Sequence, residues 1–197
     1  MSAAILPAQP GADEPRRKRF TRREVDRMQE LGFFEDQRCE LIEGELIDKM
    51  GQNPPHAQAI QNVVFLLARM FGLRQVRAQL PIEAADTDQN RNLPEPDIAV
   101  LKEIGSYDKR HPRGGETVLI VEIADRSLRQ DLTVKRSLYA RAAVPEYWVL
   151  DLSSRKLIVH RQSVDGEYQE VFSLIETATV ACAARPDQPI AVRELLP

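Results

Sequence analysis

Three residues between Pro94 and Asp151 are of types suited to handling a phosphate. They are Asp97 in Pro94-Glu95-Pro96-Asp97-Ile98-Ala99-Val100, Glu122 in Val118-Leu119-Ile120-Val121-Glu122-Ile123, and Lys135 farther along. Each carboxylate lies beside or inside a short apolar run that reads as a buried strand. An acid in such a run is costly to bury unless something pairs it. Two of them with a lysine nearby point to a divalent cation and a reacting phosphate, the cation taking oxygen ligands from different elements at about 2.0–2.6 Å. Such an ion stabilises charge on phosphoryl oxygens and lowers the pKa of an attacking water. Each residue also has a plainer reading: Asp97 as an Asx-type turn residue after Pro96, Glu122 as the partner of an arginine, and Lys135 as half of an i,i+4 pair with Asp131. If the two acids stand side by side with no ion between them, they repel, and removing either charge is expected to stabilise the protein.

The neighbouring sequence must position these groups. Thr21 and Glu24 have capping-box spacing for a helix through about Leu31, which Gly32 stops. Arg38 to Asp48 reads as a β-hairpin with Glu43-Gly44 at the turn, placing Glu40 opposite Ile47. After Pro54-Pro55 and His56, apolar residues at Ala59, Val63, Leu66, Leu67 and Met70 recur at helical spacing. Val76 to Glu83 and Pro96 to Leu101 are expected strands around a polar loop from Asp86 to Asn92. A longer loop from Lys102 to Glu116 leads into a strand from Thr117 to Ile123. Ser127 then caps an expected helix to about Ala142, and Glu146 to Asp151 is an apolar strand. Strand, helix and strand make a βαβ unit, so the last two strands should be parallel with a right-handed crossover. Leu157 to Arg161 and Tyr168 to Leu174, around Asp165-Gly166, form a second hairpin. The class is therefore α/β, built on a mixed α+β sheet.

With 197 residues and 43% hydrophobic content, the chain suits one filled core. The expectation is a flexible basic arm over residues 1–19 and a single domain over 20–197. No apolar run approaches the ~18 residues of a membrane span, and the start lacks signal-peptide features, so a soluble cytoplasmic protein with no membrane contact is expected. Cys39 and Cys182 have no zinc spacing and are too few for a disulfide framework, which leaves them as buried thiols. A net charge of −3 weighs against a dedicated nucleic-acid carrier, although a nuclease needs acids for its metal. Arg16, Arg17, Lys18, Arg19, Arg22 and Arg23 form a basic cluster that either tracks a phosphate backbone or is simply solvated. His56 has two readings, as a general base or phosphate contact and as a structural residue after two prolines. Gln79 is a weaker candidate on the first strand of the sheet, and His111 lies in a loop within reach of a substrate. His160 has no functional case, and Trp148 reads as core.

Taken in order, Cys39-Glu40-Leu41-Ile42-Glu43-Gly44-Glu45-Leu46, His56, Glu95-Pro96-Asp97, Val121-Glu122-Ile123-Ala124-Asp125-Arg126-Ser127, Asp131 with Lys135, and Tyr139 through Asp151 resemble the PD-(D/E)XK nuclease superfamily. Within it, they resemble the Uma-type restriction-endonuclease-like family, over roughly Phe20 to Pro197. The resemblance implies a core of helix, three-stranded meander, helix and parallel strand, flanked by an N-terminal helix and β-hairpin and by a C-terminal β-hairpin. It implies Asp97 and Glu122 as metal ligands, with Glu40 as a further or supporting ligand. The superfamily's lysine usually lies two residues after the glutamate, where this chain has Ala124, and Lys135 on the following helix is the matching residue; its long stem can carry the ammonium back toward the strand. The implied function is a Mg2+- or Mn2+-dependent endonuclease on DNA. The alternatives are a nuclease-fold binding module without turnover and a nuclease acting on RNA. Many nucleases of this kind are homodimers, and the C-terminal hairpin is the candidate interface.

Overall fold

A computed structural model describes residues 17–35, 37–49 and 53–197. The loose start expected for residues 1–15, and Arg16 of the basic cluster, lie outside the described residues. Helix α1 (Arg22–Glu30) begins at Thr21, whose Oγ1 accepts from the Glu24 N–H while the Glu24 carboxylate accepts from the Thr21 N–H. It buries no residue, so its stability rests on its cap and local pairs. Strands β1 (Cys39–Ile42) and β2 (Glu45–Asp48) form the expected hairpin with Glu40 opposite Ile47. Glu43 and Gly44 both have positive φ, 50° and 79°, as a type I′ turn requires.

Helix α2 (Pro54–Phe71) is opened by Asn53, whose side chain accepts from the His56 N–H, with prolines in the first turn where a missing N–H costs nothing. Its buried face is Ala59, Ile60, Val63, Leu67 and Phe71. The main sheet has strand order β3-β4-β5-β6-β7-β8: β3 (Val76–Ala78), β4 (Ile98–Leu101), β5 (Thr117–Ala124), β6 (Glu146–Asp151), β7 (Lys156–Val164) and β8 (Glu167–Ile175). All neighbours are antiparallel except β5 and β6, which are parallel as the βαβ reading requires. The architecture is the expected mixed α+β sheet, with an N-terminal helix and β-hairpin and a C-terminal β-hairpin.

Three local expectations need correction. The strand foreseen from Val76 to Glu83 stops at Ala78, because Gln79 turns into the left-handed region at φ 53° and Pro81 follows with no N–H to donate. Glu83 keeps only an isolated bridge to Arg113. The strand foreseen from Pro96 pairs only from Ile98. The helix after β5 is not uniform: α3 (Leu128–Gln130) and α4 (Arg136–Arg141) flank a π turn at Asp131–Lys135, where the Arg136 N–H reaches back to the Asp131 carbonyl. Ser127 stands at its start without capping it, since its Oγ donates to Asp131 Oδ2 at 2.5 Å instead.

Both faces of the sheet are covered, which explains why β5 and β6 read as nearly continuous apolar runs. On one face α2 and the C-terminal segment, including Val180, Cys182, Val192 and Leu195, pack over Leu119, Val121, Ile123 and Trp148. On the other, Tyr139 and Ala140 of α4 cover Ile120, Ala124, Tyr147 and Val149. Trp148 is core, as its sequence suggested, and Cys182 is buried, whereas Cys39 is only half-buried.

Candidate active site

Strand alternation decides where Glu122 points. Leu119, Val121 and Ile123 face α2, so Glu122 shares the opposite face with Ile120 and Ala124, beneath the helix that follows β5. It is 2% exposed, and that helix supplies its partners. Lys135 and Tyr139 lie four residues apart, on one helix stripe. Lys135 Nζ is 3.0 Å from Glu122 Oε1, to which the Tyr139 hydroxyl also donates at 2.6 Å. The π turn puts Asp131 on the same stripe, with Oδ1 3.9 Å from Nζ. Glu40, from the hairpin, comes within 2.8 Å of Nζ through Oε1, and its Oε2 accepts from the Glu95 N–H at 3.1 Å.

Asp97 belongs to the other half of the site. The register pairing Ile98 with Val121 brings Asp97, the residue before β4, opposite Glu122. The two are clasped through the backbone: the Asp97 N–H points at Glu122 Oε2 at 3.4 Å, and the Ile123 N–H donates to Asp97 Oδ2 at 2.9 Å. His56 Nε2 lies 3.4 Å from Asp97 Oδ2, and Lys49 Nζ lies 3.9 Å from Oδ1. Asp97 is therefore not merely repelled by Glu122. Each carboxylate also has a cationic partner, His56 and Lys49 for Asp97 and Lys135 for Glu122.

The acidities follow from these partners. Burial raises Glu122, and the Asp97 and Asp131 charges add to that against the pull of Lys135, leaving its carboxyl up at about 8. Asp131 is raised by burial to about 6 despite Lys135 and Ser127. Lys135 is held well above its usual range because three surrounding acids outweigh its desolvation. For Asp97 burial also pushes upward, but the His56 hydrogen bond, the Lys49 charge and the Ile123 N–H together bring it below the ordinary value. His56 is raised by its hydrogen bond to Asp97, against burial.

These groups meet at a cleft of about 710 Å³, lined by Asp97, Glu122, Glu40, Lys135, His56 and Lys49 among others. Gln79 stands at its rim, where its side chain accepts from Arg38 Nη1 at 3.2 Å. His111 is not among the lining residues; burial and the Arg22 and Arg77 charges lower its pKa. His160 is buried between Tyr147 and Tyr168. In the basic cluster, Lys18, Arg19 and Arg22 are paired with Glu24, Glu45 and Asp26 of the chain itself, so much of that charge is already answered.

A family model described as "Putative restriction endonuclease", Uma2, matches residues 23–189. The chain belongs to the Uma2 family. A crystal structure of "a putative nuclease belonging to DUF820" from Anabaena variabilis ATCC 29413 superposes on this Uma2 chain with a TM-score of 0.64. The two are 16% identical, and the match covers 80% of this chain and 88% of the other. No curated protein matches.

Among the described residues of this Uma2 chain, no group of three or more His, Cys, Asp or Glu side chains forms a ready cage for a metal. Glu40, expected as a ligand, has one oxygen on Lys135 and the other on the Glu95 N–H. Among the three acids expected as ligands, the oxygens least engaged are Asp97 Oδ1 and Glu122 Oε2, whose nearest donors stand 3.9 and 3.4 Å away. Two carboxylates supply the oxygen donors that a small hard divalent cation takes. Sequence reasoning missed Lys49, a lone lysine after a hairpin that carries no pattern, and the role of Tyr139, whose i,i+4 spacing from Lys135 was the available signal.

Proposed function

We propose that this chain is a divalent-metal-dependent endonuclease that hydrolyses DNA phosphodiester bonds at this cleft. The observation that carries the reading is the convergence of Asp97, Glu122 and Lys135 from two strands and a helix onto one opening, with 3.0 Å between the ammonium and Glu122. Membership of a family described in terms of restriction endonucleases supports it. Asp97 and Glu122 would hold Mg2+ or Mn2+, which supplies charge stabilisation at the phosphoryl oxygens and a more acidic attacking water.

The chain's own groups have distinct tasks. Glu40 and Asp131 fix Lys135, and Lys135 with the Tyr139 hydroxyl holds Glu122 in one orientation. Glu40 thus acts through Lys135 in this reading. His56 holds Asp97 through Nε2, while its Nδ1 is buried, so it acts as a positioning group for that carboxylate. Gln79 and Arg38 shape the rim. A homodimer placing two such sites on two strands is part of the proposal, with the C-terminal hairpin as its interface; β8 is a sheet edge with Val171 and Ile175 exposed.

The test is nicking of plasmid DNA, and in parallel of RNA, with magnesium or manganese. Wild type should cleave, and Asp97→Asn or Glu122→Gln should lose about 10²-fold or more, the scale of removing one preorganised electrostatic group. Cleavage surviving both changes overturns the assignment. A binding module without turnover is the second reading. It is favoured by Ala124 standing at the superfamily's usual lysine position and by the engagement of Lys135 with acids of the chain itself. DNA binding with no cleavage under any metal would select it.

A further inference from the structure

We propose that Lys49, rather than Lys135, is the cation of this cleft that touches the substrate, donating N–H to a non-bridging oxygen of a nucleic-acid phosphate, while Lys135 stays a fixed internal counter-ion. This rests on the nucleic-acid reading of the cleft given above.

The two ammonium groups are engaged to different degrees. An ammonium has three donors. In Lys135, two meet carboxylates at 2.8 and 3.0 Å, Asp131 Oδ1 stands 3.9 Å away, and the side chain is 4% exposed. Turning it toward a phosphate strands a buried acid without its cation. Lys49 follows directly on the last residue of β2, lines the same cleft and has a side chain 15% exposed. One of its donors is anchored on the Glu95 carbonyl oxygen at 2.5 Å. Its other neighbours, Glu95 Oε1 at 3.7 Å and Asp97 Oδ1 at 3.9 Å, lie beyond hydrogen-bond range. Glu95 Oε1 is moreover taken by Arg38. Lys49 is thus held by one donor and retains two.

The position of those donors matters as much as their number. They lie beside Asp97 Oδ1, one of the least engaged carboxylate oxygens of the site. A phosphate bound against Asp97 would meet an acceptor-rich group on one side and the Lys49 ammonium on the other. Lys49 makes and breaks no covalent bond in this role. It binds one phosphoryl oxygen and offsets its charge.

The experiment uses the full chain with Lys49→Met, Lys49→Arg and Lys135→Met, each checked for folding by circular dichroism. Binding of a fluorescein-labelled DNA duplex is followed by anisotropy over a range of salt, and cleavage is followed with magnesium. Lys49→Met should weaken binding about tenfold and make the salt slope shallower by about one, as loss of a single phosphate contact does. Lys49→Arg should restore the slope. Lys135→Met should lower stability and leave the slope unchanged. The reverse pattern, with Lys49→Met indistinguishable from wild type and the slope changed by Lys135→Met, overturns the proposal while leaving the nuclease reading intact. Binding without cleavage in wild type removes the nuclease reading, yet the Lys49 slope still decides this one. A wild type that binds no DNA at any salt overturns both.

Discussion

Asp97 and Glu122 stand opposite one another on neighbouring strands, 4% and 2% exposed, yet one carboxyl is made more acidic than usual and the other less. Burial alone pushes both upward, so it does not account for the difference. The partners do. Asp97 has a backbone N–H, an imidazole and a nearby lysine that it shares with Glu95. Glu122 shares a single ammonium with Glu40 and Asp131. The Asp97 half of the cleft is thus rich in donors and partly open, while the Glu122 half is sealed and short of positive charge. In the proposed reading, a divalent ion bound by Asp97 and Glu122 would answer that shortage.

The sharpest way to break this comparison is to remove the one cation of the sealed half. Lys135→Met leaves three buried acids without their ammonium, and loss of one partner of a buried pair costs about 3–5 kcal/mol. Urea unfolding at neutral pH should show a loss of that size. A variant as stable as wild type at neutral pH means that the lysine is not the counter-ion of this half.

Removing the acids should separate the halves next. Asp97→Ala takes the acceptor from the buried Ile123 N–H, a cost of about 1–3 kcal/mol. Glu122→Gln keeps an acceptor for Tyr139, leaves Lys135 two other acids and should change stability little. Simple repulsion between the two carboxylates instead makes both substitutions stabilising without metal, so melting temperatures in EDTA distinguish the two pictures.

Much of this site is legible in the sequence, for a definite reason. Asp97 and Glu122 stand out because acids beside or inside apolar runs must be answered by something, Lys135 stands out through the family resemblance, and the Glu43-Gly44 turn alone sets Glu40 opposite Ile47. What is not legible is how charge is partitioned. Nothing in the spacing says that one lysine must serve three acids, because Glu40 arrives from a distant hairpin. The π turn at Asp131–Lys135 is equally silent, since residues that suit an i→i+5 turn also suit an α-helix. The early end of β3 depends on Gln79 entering the left-handed region, where a glycine would have announced the turn. Lys49 gave no signal, because a single lysine after a hairpin is ordinary surface chemistry until Glu95 and Asp97 are seen beside it.

A pH titration of stability in EDTA sharpens the contrast further. The Glu122 carboxyl rises from an ordinary 4.5 to about 8 in the folded protein. Between those values the folded state holds a proton that the unfolded chain has released, so stability should fall as pH rises, by at most about 1.4 kcal/mol per unit from this group. Glu122→Gln should flatten that slope. Asp97 works in the opposite sense: its lowered pKa contributes stability above its unfolded value, lost only as pH falls through the folded one. A slope that persists unchanged in Glu122→Gln assigns the titration elsewhere.

His56 gives the smallest expected effect and tests the open half directly. Its pKa is raised by the hydrogen bond to Asp97. The stability it contributes is therefore fully present below the ordinary value of 6.5 and is lost as pH rises through the folded one. The pair is long, 3.4 Å, its imidazole is partly accessible, and Nδ1 is buried without a hydrogen-bond partner, which offsets part of the gain on protonation. His56→Asn should then cost about 0.5–1 kcal/mol at pH 6, in the range of a weak ion pair, and close to nothing at pH 9. Because the same change removes the strongest downward influence on Asp97, that carboxyl should titrate at higher pH in the variant, measurable by NMR on the Asp97 side chain. If Asp97 titrates unchanged without the imidazole, the Ile123 N–H and Lys49 hold it by themselves, and the open half owes its acidity to those two groups alone.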